Sequence, residues 1–162
     1  MMASLEETVA TLAARVQRLE DELAIHRLIV RYGFGVDVGD PEAASSVFRE
    51  DGVYDVDVGL MAGRGAVEAM VRTERHQSMV GHCAHQIGPA VVELRGPDAA
   101  VATGYSRVYL QTPAGTHVYR VSLNRWELAK ARDEWRIARR TTRVLGHADA
   151  AQLFRRFVDE HR

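Results

Sequence analysis

Four strand-like runs follow one another in the second half of the chain. They cover residues 90–94, 99–110, 116–128 and 135–144, and short segments with glycine, proline or charged residues separate them. Loops of this length favour hairpins between consecutive antiparallel strands. Because the first half of the chain has a helical pattern, we expect an α+β domain in which helices pack on one face of a curved antiparallel sheet.

The first predicted helix begins with a heptad-like stripe. Its apolar residues recur at spacings of four and three, at Leu5, Val9, Leu12, Val16, Leu19 and Leu23. This spacing is typical of a coiled-coil seam or of one packed helix face. Because three heptads make a marginal seam by themselves, we expect the helix to pack on its own domain, with a subunit contact as the alternative. Gly33 and Gly35 weaken the helix, which we expect to end between residues 36 and 39.

The remaining elements complete a single domain over residues 1–162. Asp40 before a proline predicts a second helix that runs to about residue 50, and a strand over 53–58 and a third helix over 66–76 follow. Residues 1–20 form a helical N-terminal extension, and residues 148–162 contain a C-terminal helix. Both faces of the strand over 101–109 are partly apolar, which predicts that the sheet is buried against helices on one side and against another subunit on the other.

Charge and composition exclude several classes of protein. The 21 Lys+Arg and 22 Asp+Glu residues nearly balance, so no overall field attracts nucleic acid or an anionic membrane. The longest apolar runs are far too short to span a bilayer, and the N-terminus lacks the apolar core of a signal peptide. With Cys83 as the single cysteine, no internal disulfide can form. We expect a cytoplasmic protein without a nucleic-acid or membrane partner.

The sequence lacks the common cofactor and metal motifs. It contains no glycine-rich phosphate loop, no His-Glu-x-x-His and no nucleophile elbow. His82 and His85 are three residues apart on a predicted strand, so their side chains point to opposite faces and do not suggest a zinc site. We therefore expect neither a metal ion nor an organic cofactor.

A set of titratable residues lies at the ends of predicted elements. Each has an ordinary structural interpretation: a turn carboxylate, a partly buried histidine, core tyrosines or a solvated strand face. Together they are the candidates for chemistry: Tyr32, Asp37, Tyr54, His82, His85, Arg139, Arg140 and Arg143.

Several segments together resemble the SnoaL-like family of the nuclear-transport-factor-2-like superfamily. They are Tyr32-Gly-Phe-Gly-Val-Asp37-Val-Gly-Asp40, Phe48-Arg-Glu-Asp51-Gly-Val-Tyr54, Met61-Ala-Gly63-Arg-Gly65, His85 eight residues before Glu93, and Glu134-Trp135-Arg-Ile137. The pattern is nearest to proteins of the scytalone dehydratase, bile-acid 7α-dehydratase and lindane dehydrochlorinase types. The resemblance implies a cone-shaped α+β fold, in which a curved antiparallel sheet wraps around the N-terminal helices and encloses a pocket. It also implies a homodimer or homotrimer.

The resemblance also implies a site. Asp37 and His85 match a catalytic Asp–His pair, and Tyr32, Tyr54 and Arg143 match substrate-binding positions, with Arg139 and Arg140 left open. His82 is a further substrate-binding candidate, and it is the pocket histidine in place of His85 if the strand register shifts by an odd number of residues. A carboxylate that accepts the Nδ1 hydrogen of an imidazole leaves Nε2 as a base.

The expected function is that of a cofactor-free lyase or isomerase. Members of the family that the chain resembles act on polyketides, steroids, terpenoids and halogenated hydrocarbons, so the resemblance implies a small, largely apolar substrate of one of these classes. The alternative is a non-catalytic ligand-binding or oligomerisation module, similar to the small subunit of a ring-hydroxylating dioxygenase.

Overall fold

The computed structural model describes residues 4–162, so the first three residues of the predicted N-terminal extension lie outside it. Helices alternate with strands in the first half of these residues, and four long strands and a last helix make up the second half. The helices are α1 (Leu5–Asp37), α2 (Pro41–Ser45), α3 (Arg64–Val71), α4 (Glu74–Gln77) and α5 (Ala150–Glu160). The strands are β1 (Phe48–Val56), β2 (Gly59–Ala62), β3 (Cys83–Leu94), β4 (Ala99–Thr112), β5 (Gly115–Ala131) and β6 (Glu134–Val144).

The six strands form one sheet in the order β2-β1-β6-β5-β4-β3. The hairpins from β3 to β6 are antiparallel, as the short loops predict, and β1 joins β6 in parallel. The α+β architecture expected from the sequence is therefore confirmed.

Several local expectations differ from the structure. The strand expected over 53–58 spans Phe48–Val56, and the strand expected over 90–94 begins at Cys83. The second helix ends at Ser45 rather than near residue 50, because the chain enters β1 at Phe48. Residues 59–62 form strand β2, which pairs with β1 and which the sequence pattern does not predict. The third helix is interrupted at Thr73, whose hydroxyl accepts a hydrogen bond from the His76 backbone N–H and caps a separate short helix.

The C-terminal half of α1 packs in the concavity of the sheet. One face of this half is buried, and it meets an aromatic and aliphatic core from β1, β5 and β6. Burial of each large apolar side chain contributes about 1.5–3 kcal/mol. The helix residues in this core are Ile25, Leu28, Ile29, Tyr32 and Val36.

The N-terminal half of α1 does not pack on the domain. Every residue from Ser4 to Glu20 is exposed, and Asp21 is the first buried one. The expectation that the heptad stripe packs on its own domain is wrong, because the sheet ends before the helix does.

Two glycines let α1 approach its neighbours closely. A Cβ at Gly33 would lie 2.9 Å from the His85 carbonyl oxygen, and one at Gly35 would lie 2.5 Å from the Ala44 backbone nitrogen. No Cβ fits at either distance. The glycines that weaken the helix in the sequence are thus the residues that seat it against β3 and α2.

Helix α5 covers part of the outer face of the sheet. Phe154 meets Tyr105 edge-to-face with ring centroids 4.7 Å apart. Arg125, buried on the same face, lies 4.0 Å from Glu160. We expected another subunit to bury the outer face of the sheet, but the chain's own C-terminal helix covers this part of it. Among residues 4–162, we find no helix with the length and apolar character that a membrane crossing requires.

Candidate active site

Asp37 and His85 are in direct contact where the C-terminal end of α1 meets the N-terminal end of β3. Asp37 is the last residue of α1, and His85 is the third residue of β3. The His85 backbone N–H donates to Asp37 Oδ2 at 2.8 Å, and His85 Nδ1 lies 2.6 Å from Asp37 Oδ1. Both side chains are about one-fifth exposed, at 18% for His85 and 21% for Asp37.

This arrangement defines the tautomer of the imidazole. An ionised carboxylate only accepts hydrogen bonds, so Nδ1 of His85 carries the hydrogen. In the neutral ring, Nε2 then has the free lone pair, and none of the described residues donates a hydrogen bond to it.

Cys83 is the third group at this carboxylate. Its Sγ donates to Asp37 Oδ1 at 3.6 Å. Burial and the neighbouring Asp37 charge raise the pKa of the Cys83 thiol to about 11. The thiol therefore remains protonated at neutral pH, and it is a poor nucleophile.

A cavity of about 190 Å³ lies between α1 and the sheet, and His85 is part of its wall. This volume is below the usual range of about 300–1,000 Å³ for ligand pockets. Much of its lining is apolar or aromatic: Tyr32, Val36, Tyr54, Val56, Val58, Met61, Met70, Met79, Val108 and Tyr119.

A buried arginine supplies positive charge to this cavity. Arg140 on β6 is 3% exposed, and its guanidinium carbon lies 4.6 Å from the ring centroid of Tyr32 and 4.7 Å from that of Tyr54. Nε and Nη2 donate to Oδ1 of Asn124 at 3.2 and 2.9 Å, whereas Nη1 has no partner. No carboxylate of the described residues forms an ion pair with it. Arg140 is thus a buried cation that is held by Asn124 and by aromatic rings, without a carboxylate partner and with one nitrogen that donates to no described residue.

The two tyrosines stand beside this guanidinium. Tyr32 and Tyr54 meet edge-to-face at 5.9 Å, and both are buried. Burial, together with the neighbouring Tyr54, raises the pKa of Tyr32 above its ordinary value. The Tyr32 phenol therefore stays protonated and can donate a hydrogen bond.

Comparisons with known proteins show which family the chain belongs to. A family model for the SnoaL-like domain matches residues 17–141, which include both members of the Asp–His pair and the cavity arginine. The chain belongs to the SnoaL-like family.

Solved structures show the same fold. An NTF2-like protein with a cystatin-like fold from Novosphingobium aromaticivorans is 38% identical, with a TM-score of 0.85, over 94% of this chain and 98% of that one. A protein of unknown function from Mycobacterium tuberculosis is 25% identical, with a TM-score of 0.72, over 88% and 89% of the two chains. Hexachlorocyclohexane dehydrochlorinase LinA-type3 from Novosphingobium barchaimii is 16% identical, with a TM-score of 0.69, over 81% and 90%. A comparison with curated proteins found no match.

The cavity arginine of this SnoaL-like protein is Arg140 and not Arg143. Arg143 donates to the backbone carbonyl of Asp55 and forms an ion pair with its carboxylate at 2.8 Å, away from the cavity lining. Arg139 is paired with the same Asp55 side chain. This placement corrects the prediction that Arg143 binds substrate.

A β-bulge in β6 places Arg140 rather than Arg143 on the inner face of the sheet. Ile137 of β6 pairs with Leu128, and Arg139 pairs with Glu127, so Ala138 between them has no partner. One extra residue moves every following side chain to the other face of the strand. Arg140 therefore shares the inner face with Ile137, whereas strict alternation would have placed Arg143 there.

His82 of the SnoaL-like protein also lies outside the cavity. It is exposed and lines a surface depression with Leu110 and Pro113. Cys83, His85 and Ile87 face inward along β3, so the register that puts His85 at the cavity excludes His82. This placement corrects the prediction of His82 as a substrate-binding residue.

Sequence reasoning missed a polar cluster on the inner face of the sheet. Asn124 accepts from Thr142 at 2.7 Å and donates to Ser106 at 2.9 Å while it holds Arg140. His76 also borders the cavity and is hydrogen-bonded to the Val36 carbonyl at 2.8 Å. The alternation of inward- and outward-facing positions along β4 and β5 could have indicated this cluster. Ser106 and Asn124 are polar residues at inward-facing positions that are otherwise mostly apolar.

One group of side chains in the described residues has the composition of a metal site. The candidate ligand atoms of Asp37, Cys83 and His85 lie within 4.8 Å of one another. However, two ligands on a tetrahedral zinc ion are about 3.3 Å apart, and the Asp37–His85 distance of 2.6 Å is that of a hydrogen bond. The geometry fits a hydrogen-bonded pair better, and the absence of a metal stays a prediction.

Proposed function

We propose that this protein is a cofactor-free lyase or isomerase in which His85 is the general base and Asp37 orients it. The observation that carries the proposal is the hydrogen bond from His85 Nδ1 to Asp37 at the wall of a largely apolar cavity. With Nδ1 occupied, Nε2 is the atom that takes a proton from an activated C–H bond of the substrate. Asp37 stabilises the imidazolium that forms.

Arg140 can stabilise the negative charge that develops on the substrate. Proton loss next to a carbonyl moves negative charge to the carbonyl oxygen, and the free Nη1 of Arg140 can donate to that oxygen. The Tyr32 phenol is a second donor, since its raised pKa keeps it protonated. A buried guanidinium without a carboxylate partner stabilises an anion more than a paired one would.

Two outcomes follow from the same first step. In an elimination, the imidazolium returns its proton to a departing hydroxyl group, or a halide departs without it. In an isomerisation, the proton returns to a different carbon atom. Neither route requires a nucleophile, a metal or an organic cofactor.

The size of the cavity limits the substrate. A volume of about 190 Å³ is small for a steroid or an extended polyketide, so we propose a compact molecule. It would have an apolar body and one carbonyl or similar acceptor, with a hydroxyl or halide as the leaving group.

The test is a screen of small activated alcohols, halides and enolisable ketones with the wild-type protein and three variants. We expect His85→Ala to lower kcat/KM on any substrate found by about 10²–10⁴-fold. We expect Asp37→Asn to lower kcat, because the asparagine amide no longer stabilises the imidazolium. His82→Ala is the matched control, since His82 is an exposed histidine outside the cavity.

Full activity in His85→Ala would overturn the proposal. Saturable ligand binding with no turnover in the wild type would support the non-catalytic module instead. The circular dichroism spectrum of each variant distinguishes a lost base from a lost fold.

A further inference from the structure

The N-terminal half of α1 presents an uncovered apolar stripe. We call it the exposed seam, and its residues are between 48% and 80% exposed. Apolar patches of this kind on a soluble surface usually mark a contact with another molecule. The seam consists of Leu5, Val9, Leu12, Val16, Leu19 and Leu23.

The helix that carries the seam has a defined beginning. Ser4 Oγ accepts from the Glu7 N–H at 3.2 Å, and the Glu7 carboxylate accepts from the Ser4 N–H at 2.7 Å. This reciprocal capping box stabilises the first turn. The seam is therefore presented on an ordered helix end.

The packed core of the domain lies on the opposite side of this helix, although the end of β3 borders one flank of the seam near Leu19. Asp21 faces the sheet, where Lys130 and the Trp135 indole donate to it at 2.9 and 2.8 Å. Leu19 and Leu23 are each two residues from Asp21, which places them about 200° around the helix. Two copies can thus meet along the seam with both domains on the outside.

We propose that a second copy of this chain covers the exposed seam in a parallel, in-register, two-stranded coiled coil. The heptad places Val9, Val16 and Leu23 at a positions. The d positions are all leucine: Leu5, Leu12 and Leu19. A β-branched residue at a with leucine at d favours parallel dimers over higher oligomers.

The flanking charges select the parallel orientation. In a parallel dimer, a g residue meets the e residue five positions later on the other helix. Arg15 then faces Glu20 of the partner subunit, and Glu22 faces Arg27 of the partner subunit. Both pairs are attractive. An antiparallel dimer with full overlap would instead pair Arg15 with the partner's Arg15 and Glu6 with the partner's Glu20, which repel.

The charge of this segment disfavours a membrane as the occupant. Residues 4–24 contain five acidic and two basic side chains. Helices that lie on anionic bilayers are instead rich in lysine and arginine on the polar face.

The experiment is sedimentation equilibrium of the full chain over a micromolar concentration series. We expect a dimer, and we expect Leu12→Glu to weaken it at least tenfold, because each dimer would bury two glutamates. Ala14→Glu is the matched control: it adds the same charge at an exposed f position and leaves dimerisation unchanged.

Two further variants test orientation. Arg15→Glu places like charges at the g–e′ contact and weakens the dimer, and Arg15→Glu with Glu20→Arg restores it. Leu5→Cys forms an intersubunit disulfide on mild oxidation, since in-register parallel helices bring the two positions together. The wild type, with Cys83 alone, is the control for that disulfide.

A monomeric wild type at all concentrations would overturn the proposal. So would a dimer that Leu12→Glu leaves intact, because its interface would lie elsewhere. Sedimentation of the wild type with vesicles of neutral or anionic phospholipid, lost in Leu12→Glu, would assign the seam to a membrane instead.

Discussion

Helix α1 carries an apolar stripe in each half, and the two stripes have different surroundings. Leu28 in the second half is 4% exposed in the core, whereas Leu12 in the first half is 51% exposed. Both belong to a regular helical pattern of aliphatic residues. The comparison shows that periodicity identifies the apolar face of a helix. The extent of the sheet then determines whether that face is buried by the same chain.

The sharpest test of this difference is a pair of leucine truncations. We expect Leu28→Ala to lower the free energy of unfolding by about 2–5 kcal/mol, because it opens a space in a packed core. We expect Leu12→Ala to change the free energy of unfolding of the domain by less than about 0.5 kcal/mol, because Leu12 is exposed. Urea denaturation in the dilute limit, where dimers are dissociated, measures both. Equal effects would mean that the seam is part of the domain's own core.

A smaller effect is expected where the buried half of α1 meets β3. Gly33→Ala places a methyl group 2.9 Å from the His85 carbonyl oxygen, so the helix or the strand must shift. We expect destabilisation by about 1–3 kcal/mol. We also expect a loss of any His85-dependent activity, since the same contact seats His85 next to Asp37.

Gly65→Ala is the matched control for that substitution. Gly65 lies in α3, and a Cβ there meets no atom within 4 Å. Alanine in an open helical position stabilises by about 0.5–1 kcal/mol. If both substitutions changed stability in the same direction, the close approach of α1 to β3 would not be the cause.

The smallest effect concerns Asp21, at the boundary between the two halves. Burial raises the pKa of this carboxyl group, but hydrogen bonds from Lys130 and Trp135 outweigh burial, so the pKa is lowered overall. A group with a lowered pKa in the folded state stabilises the fold above its unfolded pKa, and the contribution is lost as pH falls through the folded pKa. We therefore expect the stability advantage of the wild type over Asp21→Asn to shrink as the pH falls below about 4.

Chemical denaturation of both proteins at several pH values measures this advantage. Asp159→Asn is the matched control, because the Asp159 side chain is exposed on α5, away from Asp21. A wild-type advantage that stays constant through this pH range would contradict the assignment to the Asp21 ion pair.

The family resemblance and the sequence pattern correctly gave the α+β class, the long first helix and the four consecutive hairpin strands. Those features depend on local periodicity and on turn residues, which act over a few positions. Asp37 and His85, named from the resemblance, lie within hydrogen-bond distance in the structure. They meet because the C-terminal end of α1 and the N-terminal end of β3 are adjacent in space. Their catalytic roles are part of the proposal above.

The tertiary structure alone decided which arginine enters the cavity and which half of α1 is covered. Arg140 faces inward because Ala138 is an unpaired bulge residue, and a bulge depends on how two strands pair rather than on either strand's own sequence. Likewise, Leu12 and Leu28 carry the same side chain in one continuous helix, and only the position of the sheet edge leaves the first exposed. The local sequence determines which side chains share one apolar face of a helix or strand. Whether that face is buried depends on residues that are distant in the chain.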